Sequence, residues 1–272
     1  MDVIQEPAFW SVLVAVVAIA LSQIPPIREL VRGADLSIVV PDQLMLWHFL
    51  GNVQANIFVD IRNKGGRIAY VHRIDCRIKD EGGATVCEIP AVTYYSRQPS
   101  SQADRQTPEY PVGLIIIKPG EHWSETIHCY KPWNDAEEER ISEIILDIRN
   151  DIGTKIKVGE KVAPVEAEEK LVQKAMDFFR DKFPLRRGNY HFLIAAVSES
   201  GRLLCVRGFR FTLFEAHIRA LRSYTEEYKY GAGIYFPIQD PSKVVWVRIG
   251  PIPDQQAKRL YERQTAPPHT MT

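Results

Sequence analysis

The densest set of side chains able to do chemistry lies between Glu121 and Cys129, where His122, His128 and Cys129 stand among Glu121 and Glu125. Imidazole, thiolate and carboxylate are the ligands of zinc and the acids and bases of hydrolysis. In an extended strand, however, His122 and His128 share a face about 20 Å apart, too far to hold one ion. The HExxH order is absent. His72 and Asp75 fall on opposite faces of a strand and cannot make an oriented His–Asp pair from within it. Ser198-Glu199-Ser200 reads as a hairpin tip rather than a nucleophile elbow. Gly231-Ala232-Gly233 lacks the strand-then-helix setting of a phosphate loop and reads as a helix cap. These residues lead to the expectation of a protein with no catalytic residue, no metal site and no cofactor.

The four cysteines, Cys76, Cys87, Cys129 and Cys205, show no C-x-x-C spacing. Cys76 and Cys87 could face each other across a hairpin and pair in an oxidising compartment. In a reducing one they would be small buried thiols. Arg186, Arg187, Arg202, Arg207 and Arg210 make the C-terminal half locally basic, which fits a solvated face balanced by Glu215, Glu226 and Glu227 better than an anion site. Lys plus Arg equals Asp plus Glu at 34 each, so no general field favours nucleic acid. The aromatic residues Tyr224, Tyr228, Tyr230, Tyr235 and Phe236 gather at the end of one helical segment, and Tyr228, Tyr230 and Phe236 form the candidate protein-partner surface.

One long uncharged apolar run, residues 8–24, stands at the N-terminus, ends at Pro25-Pro26 and is followed by Arg28 and Arg32. Its 17 residues would reach roughly 26 Å as a helix, near the ~30 Å hydrocarbon core. Residues 1–33 are therefore expected to form a single-pass transmembrane anchor, with Ala8, Trp10, Val14, Ile19 and Ile24 in the bilayer. A cleaved signal peptide ending near Ala18-Ile19-Ala20, a buried core helix and an interfacial helix are the competing readings. The acidic N-terminal flank, and the arginines Arg28 and Arg32 after the run, place the body in the cytoplasm at a bacterial inner membrane.

Beyond the anchor, residues 36–40 form a short apolar run. Val53, Ala55, Ile57, Val59 and Ile61 alternate as one buried face of a strand. Asn63-Lys64-Gly65-Gly66 turns the chain, residues 68–78 resume as a strand, Asp80-Glu81-Gly82-Gly83 makes a hairpin, and residues 84–89 return. Residues 98–111 read as an exposed loop. Residues 112–117 and 123–130 read as strands about Pro119-Gly120, and residues 141–148 and 154–158 as a last hairpin. Short strands at this spacing indicate a sandwich over residues 34–158. The stretch NIFVDIRNKGGRIAYVHRIDCRIKDEGG, with the later IIIKPGEHW, resembles the strand pairs of bacterial Ig-like domains of the CARDB type. That resemblance implies a binding or spacer module.

After Pro164 the period changes from two to 3.6. Residues 165–183 read as an amphipathic helix ended by Pro184, residues 189–197 and 203–211 as a hairpin, and a second helix is expected to begin at a Thr212–Glu215 capping box. Its stripe is Phe214, Ile218, Leu221, Tyr224 and Tyr228; Gly231 stops it, and residues 244–249 form a further strand. Residues 159–250 are thus a small α+β unit, and residues 251–272 a flexible tail. The expected fold is mainly β with an α+β extension behind a transmembrane helix. The expected function is a membrane-anchored, non-enzymatic interaction, sensor or scaffold protein. An outward-facing envelope module, or an enzyme whose site forms no motif, is the alternative.

Overall fold

The computed structural model describes residues 7–95, 108–156, 164–235 and 243–263. The chain opens with α1 (Pro7–Val31). It continues through β1 (Leu36–Val39), β2 (Gln43–Phe49), β3 (Asn52–Asn63), β4 (Ala69–Val71), β5 (Arg73–Asp80), β6 (Thr85–Glu88) and β7 (Ala91–Tyr95). Then come β8 (Glu109–Pro111), β9 (Ile115–Ile117), β10 (His122–Tyr130), α2 (Asp135–Lys155), α3 (Glu169–Lys182), β11 (Gly188–Val197) and β12 (Leu203–Leu213). Helix α4 (Glu215–Ser223) runs into a 3-10 helix (Tyr224–Tyr230), and β13 (Val245–Arg248), β14 (Gly250–Pro251) and α5 (Asp254–Glu262) complete the order.

Two antiparallel sheets carry the fold. The first runs β13-β2-β3-β10-β7-β8, with β1 pairing the second half of β3; the other runs β14-β12-β11-β5-β6. Alternation builds their shared core. Val53, Ala55, Ile57, Val59 and Ile61 of β3 all turn inward as expected, and meet Ile74, Cys76 and Ile78 of β5 and Phe192, Ile194 and Ala196 of β11. Burying one face of each sheet is what holds antiparallel strands together in water. The small pair β4-β9 stands apart from both sheets. It splits the strand expected over residues 68–78, because only residues from Arg73 on pair with β11.

A second core of helices caps one end of the β body. Ile141, Ile144, Ile148 and Ile152 of α2 pack with Ala175, Phe178 and Phe179 of α3 and with Tyr224 and Tyr228 of the 3-10 helix. The hairpin expected over residues 141–158 is therefore corrected: α2 is a helix of 21 residues. Asn134 Oδ1 accepts from the Glu137 amide while the Glu137 carboxylate accepts from the Asn134 amide, and the isoleucines recur at helical spacing. Thr212 does not cap α4. It lies in β12, where its hydroxyl bonds Asn189, and Phe214 holds the N-cap position.

The two sheets also cross the boundary expected at residue 158. Strand β11 pairs β5, and β13 pairs β2, so both halves of the chain build both sheets. Nor is the whole segment after residue 250 a free tail. Ile252 and Ala257 pack on Leu193, and Gly208 leaves room for them, since a Cβ there would lie 2.7 Å from Ile252 and 2.8 Å from Ala257. Residues 264–272 lie outside the described residues.

The transmembrane expectation is corrected as well. Helix α1 forms where the uncharged run placed it, but among the described residues no helix is long and apolar enough to cross a membrane. Its uninterrupted apolar centre is residues 12–21, ten positions between Ser11 and Ser22. At ~1.5 Å per residue that is about 15 Å, half of a hydrocarbon core. Trp10, Val14 and Ile19 are all exposed, at 52%, 65% and 63%. Arg32 is exposed just beyond the helix. Ala8, Ile24 and Arg28 belong to α1, with side chains outside the described set.

Candidate interaction site on the outer face of the first sheet

The outward positions of the first sheet bring together residues from six strands. Register sets them side by side: Met45 of β2 opposite Asn56 of β3, Asn56 opposite His128 of β10, and His128 opposite Thr93 of β7. One pleat along, Trp47 faces Gln54, and Gln54 faces Tyr130. Tyr95 of β7 faces Glu109 of β8. Beyond β2, Trp246 of β13 lies opposite Met45 and is 59% exposed. The inward neighbours Leu44, Leu46, Ala55, Ile127 and Cys129 are buried, and pleating forces these alternate residues outward.

His128 is the hub. Its ring stacks on Trp47 with centroids 5.2 Å apart and on Tyr95 at 6.4 Å, and Tyr130 tilts against it at 4.9 Å. Nδ1 lies 3.1 Å from Glu109 Oε1, an obligate acceptor as a carboxylate, so Nδ1 carries a proton and donates. Nε2 meets the Gln54 side-chain amide at 3.2 Å. The Thr93 hydroxyl donates to the same Glu109 oxygen. Burial works to raise the Glu109 carboxyl, yet the bonds from Thr93 and His128 outweigh it and hold the group below the usual carboxylate range. Burial, and then the Glu109 charge, push the Tyr95 and Tyr130 phenols up. The face thus carries one fixed anion within an aromatic frame.

Beside this cluster, where the sheet meets the helical layer, lies an open cup of about 500 Å³. Met45, Trp47 and Tyr95 form its sheet side, and Tyr224, Ile234 and Tyr235 its helical side. Gly233, at φ 73°, is required here because a Cβ would sit 2.3 Å from Tyr224 Oη. Asn56 Oδ1 and Tyr224 Oη are shut from solvent with no hydrogen-bond partner among the described residues.

The aromatic residues chosen from sequence fall elsewhere. Tyr228 is fully buried in the helical core, so it presents no surface. Tyr230 is half-buried and donates its hydroxyl to Glu166, and Phe236 lies outside the described residues. His122 opens β10 opposite Arg62, six residues from His128 on the same strand. Among the described residues no group of three His, Cys, Asp or Glu is placed to hold a metal ion. Ser198 and Ser200 meet each other at 3.0 Å on a hairpin tip, Arg207 pairs with Asp254, and Gly231 ends the 3-10 helix at φ 79°. Trp47, Tyr95 and Tyr130 are not marked by the sequence: residues 44–47 are a continuous apolar run, and only the structure shows that their burial alternates.

Comparison with known protein families, with curated proteins and with solved structures finds no match.

Proposed function

We propose that this chain is a non-enzymatic interaction protein, a β-sandwich of the Ig-like type that engages a protein partner through the outer face of its first sheet. The observation that carries the reading is the clustering of Trp47, Tyr95, Tyr130 and Trp246 on that face beside a cup. The exposed face of an antiparallel sheet ordinarily alternates to polar residues. Tryptophan and tyrosine are the residues on which interfaces concentrate their binding energy, and the cup offers a seat for a partner's side chain. Glu109, a charge fixed by two hydrogen bonds, adds polar specificity.

Helix α1 supplies attachment in this reading. Its exposed apolar centre matches the depth of one leaflet, and Arg28 and Arg32 favour an anionic cytoplasmic surface at the inner membrane. Two measurements test the proposal. Full-length protein should float with phosphatidylglycerol vesicles, and Val14→Glu with Val17→Glu should leave it at the bottom of the gradient. Photo-crosslinking from position 246 in cells should give a defined adduct that Trp47→Ala with Tyr130→Ala removes while the thermal midpoint holds. Loss of biological effect from His128→Ala alone, with the adduct retained, would instead favour catalysis at the His128–Glu109 pair.

A further inference from the structure

Cys76 and Cys129 come from opposite sheets, and their sulfur atoms lie 3.6 Å apart in the middle of the core. Cys76 sits on β5 between β11 and β6, and Cys129 on β10 between β3 and β7, so each is carried by a strand paired on both sides. They are 1% and 0% exposed. Cys87, the partner suggested by the hairpin, stands opposite Ile78 instead, and Cys205 stands opposite Ala196 in β11.

We propose that Cys76 and Cys129 are a disulfide-forming pair that ties the two sheets together when the chain folds in the presence of a disulfide oxidant. A disulfide needs its sulfurs at about 2.05 Å, so they must approach by about 1.5 Å. Rotation about χ1 supplies movement of that size without separating strands. The chemistry is thiol–disulfide exchange with a small disulfide such as oxidised glutathione. One cysteine thiolate attacks a glutathione sulfur, forms a mixed disulfide and expels glutathione thiolate. The second cysteine thiolate then attacks the protein sulfur of that mixed disulfide, closing the Cys76–Cys129 bond and expelling the second glutathione. The two protons lost by the cysteines go to the leaving thiolates, and the oxidant takes up two electrons.

Timing follows from burial. Burial, and the neighbouring Cys129 thiol, push the Cys76 thiol well above its ordinary range. The attacking species is therefore scarce in the folded state, and closure belongs to folding or to an open form. In a reducing compartment the pair stays as two thiols filling core volume. The pair lies on the inner side of the first sheet, away from the proposed interaction face on its outer side.

The test is to refold the full chain from denaturant in a buffer of oxidised and reduced glutathione, then map its disulfides by mass spectrometry. The expected product carries one bond, Cys76–Cys129, with Cys87 and Cys205 as free thiols. Because the bond closes 53 positions of chain, the thermal midpoint should rise by about 10 °C and fall back with dithiothreitol. Cys76→Ser and Cys129→Ser should each abolish both effects; if either variant fails to fold, the wild-type map alone decides. Four free thiols, a Cys76–Cys87 bond, or a Cys76–Cys129 bond without a rise in midpoint would overturn the proposal.

Discussion

His48 Nε2 donates a 2.8 Å hydrogen bond to the carbonyl oxygen of Leu221, 173 residues further along the chain. The other ring nitrogen, Nδ1, accepts from the Gly51 amide at 3.3 Å. The imidazole is buried among Phe179, Phe183 and Tyr224. It joins the β2-β3 hairpin to the end of α4, and so holds the helical layer against the sheet beside the cup.

This contact makes stability depend on pH. Burial pushes the His48 ring down to about 4 from 6.5, the Leu221 bond opposing only in part. The unfolded chain then binds the proton more readily than the folded one between those values. Stability from this group is complete above pH 6.5 and falls as pH drops toward 4, by about 3 kcal/mol in all. Urea titrations across pH 4–7 should show that slope, and His48→Gln should flatten it. An unchanged slope in the variant would assign the pH dependence to other groups.

The hairpin tip itself is constrained. Leu50 at φ 47° and Gly51 at φ 90° form a two-residue turn that twists with its strands. Leu50 is wholly buried in the helical core, which offsets the strain of a leucine at positive φ. A Cβ on Gly51 would lie 2.7 Å from the Phe179 carbonyl oxygen. Gly51→Ala should cost about 2–4 kcal/mol by chemical denaturation, whereas Gly201→Ala, with nothing within 4 Å of its Cβ at φ 77°, should cost about 1 kcal/mol.

Lys79 is a lysine with no exposed surface. Its Nζ donates to the Gly83 carbonyl at 3.2 Å and to that of Arg263 at 3.1 Å, fastening the end of α5 to the β5-β6 turn. Lys79→Met keeps the stem and removes the donors. It should lower global stability by about 1–2 kcal/mol and raise hydrogen exchange in α5 more than in β11.

Thiol reactivity offers a fourth measurement. Burial pushes the Cys87 and Cys205 thiols up to about 12, and Cys76 and Cys129 are enclosed in the core. In reducing buffer at pH 8 the native protein should therefore react with iodoacetamide far more slowly than free cysteine, and the denatured chain should expose four thiols. Fast labelling of Cys76 or Cys129 in the native state would contradict their enclosure in the core, whereas Cys87 and Cys205 are partly exposed and should be the first to react.

The sequence by itself determined the strands of β3, β10, β11 and β12, because a period of two is a local property that any one-sided burial imposes. It also determined α3 and the glycine stop at Gly231, through helical spacing and the need for a left-handed residue. Helix α2 was legible too, from Asn134, Glu137 and the isoleucine spacing. Its isoleucines, followed by Asn150-Asp151-Ile152-Gly153, can nonetheless be read as a strand entering a turn when the cap is passed over. The run of α1 was plain in the sequence, and so were Ser11 and Ser22, which confine its uninterrupted apolar centre to residues 12–21.

Only the tertiary structure decided which strands meet. That β11 pairs β5, that β13 pairs β2, and that Cys76 faces Cys129 rather than Cys87 all depend on contacts between residues far apart in the chain. The interaction face is of the same kind. Trp47, Tyr95, Glu109 and His128 come from four strands, and nothing in their local spacing shows that they share a side of one sheet. Tyr228, chosen for its aromatic neighbourhood, was drawn into the helical core because its face of the 3-10 helix turns toward α2 and α3. Local periodicity says which side of an element is apolar; long-range register says what that side meets.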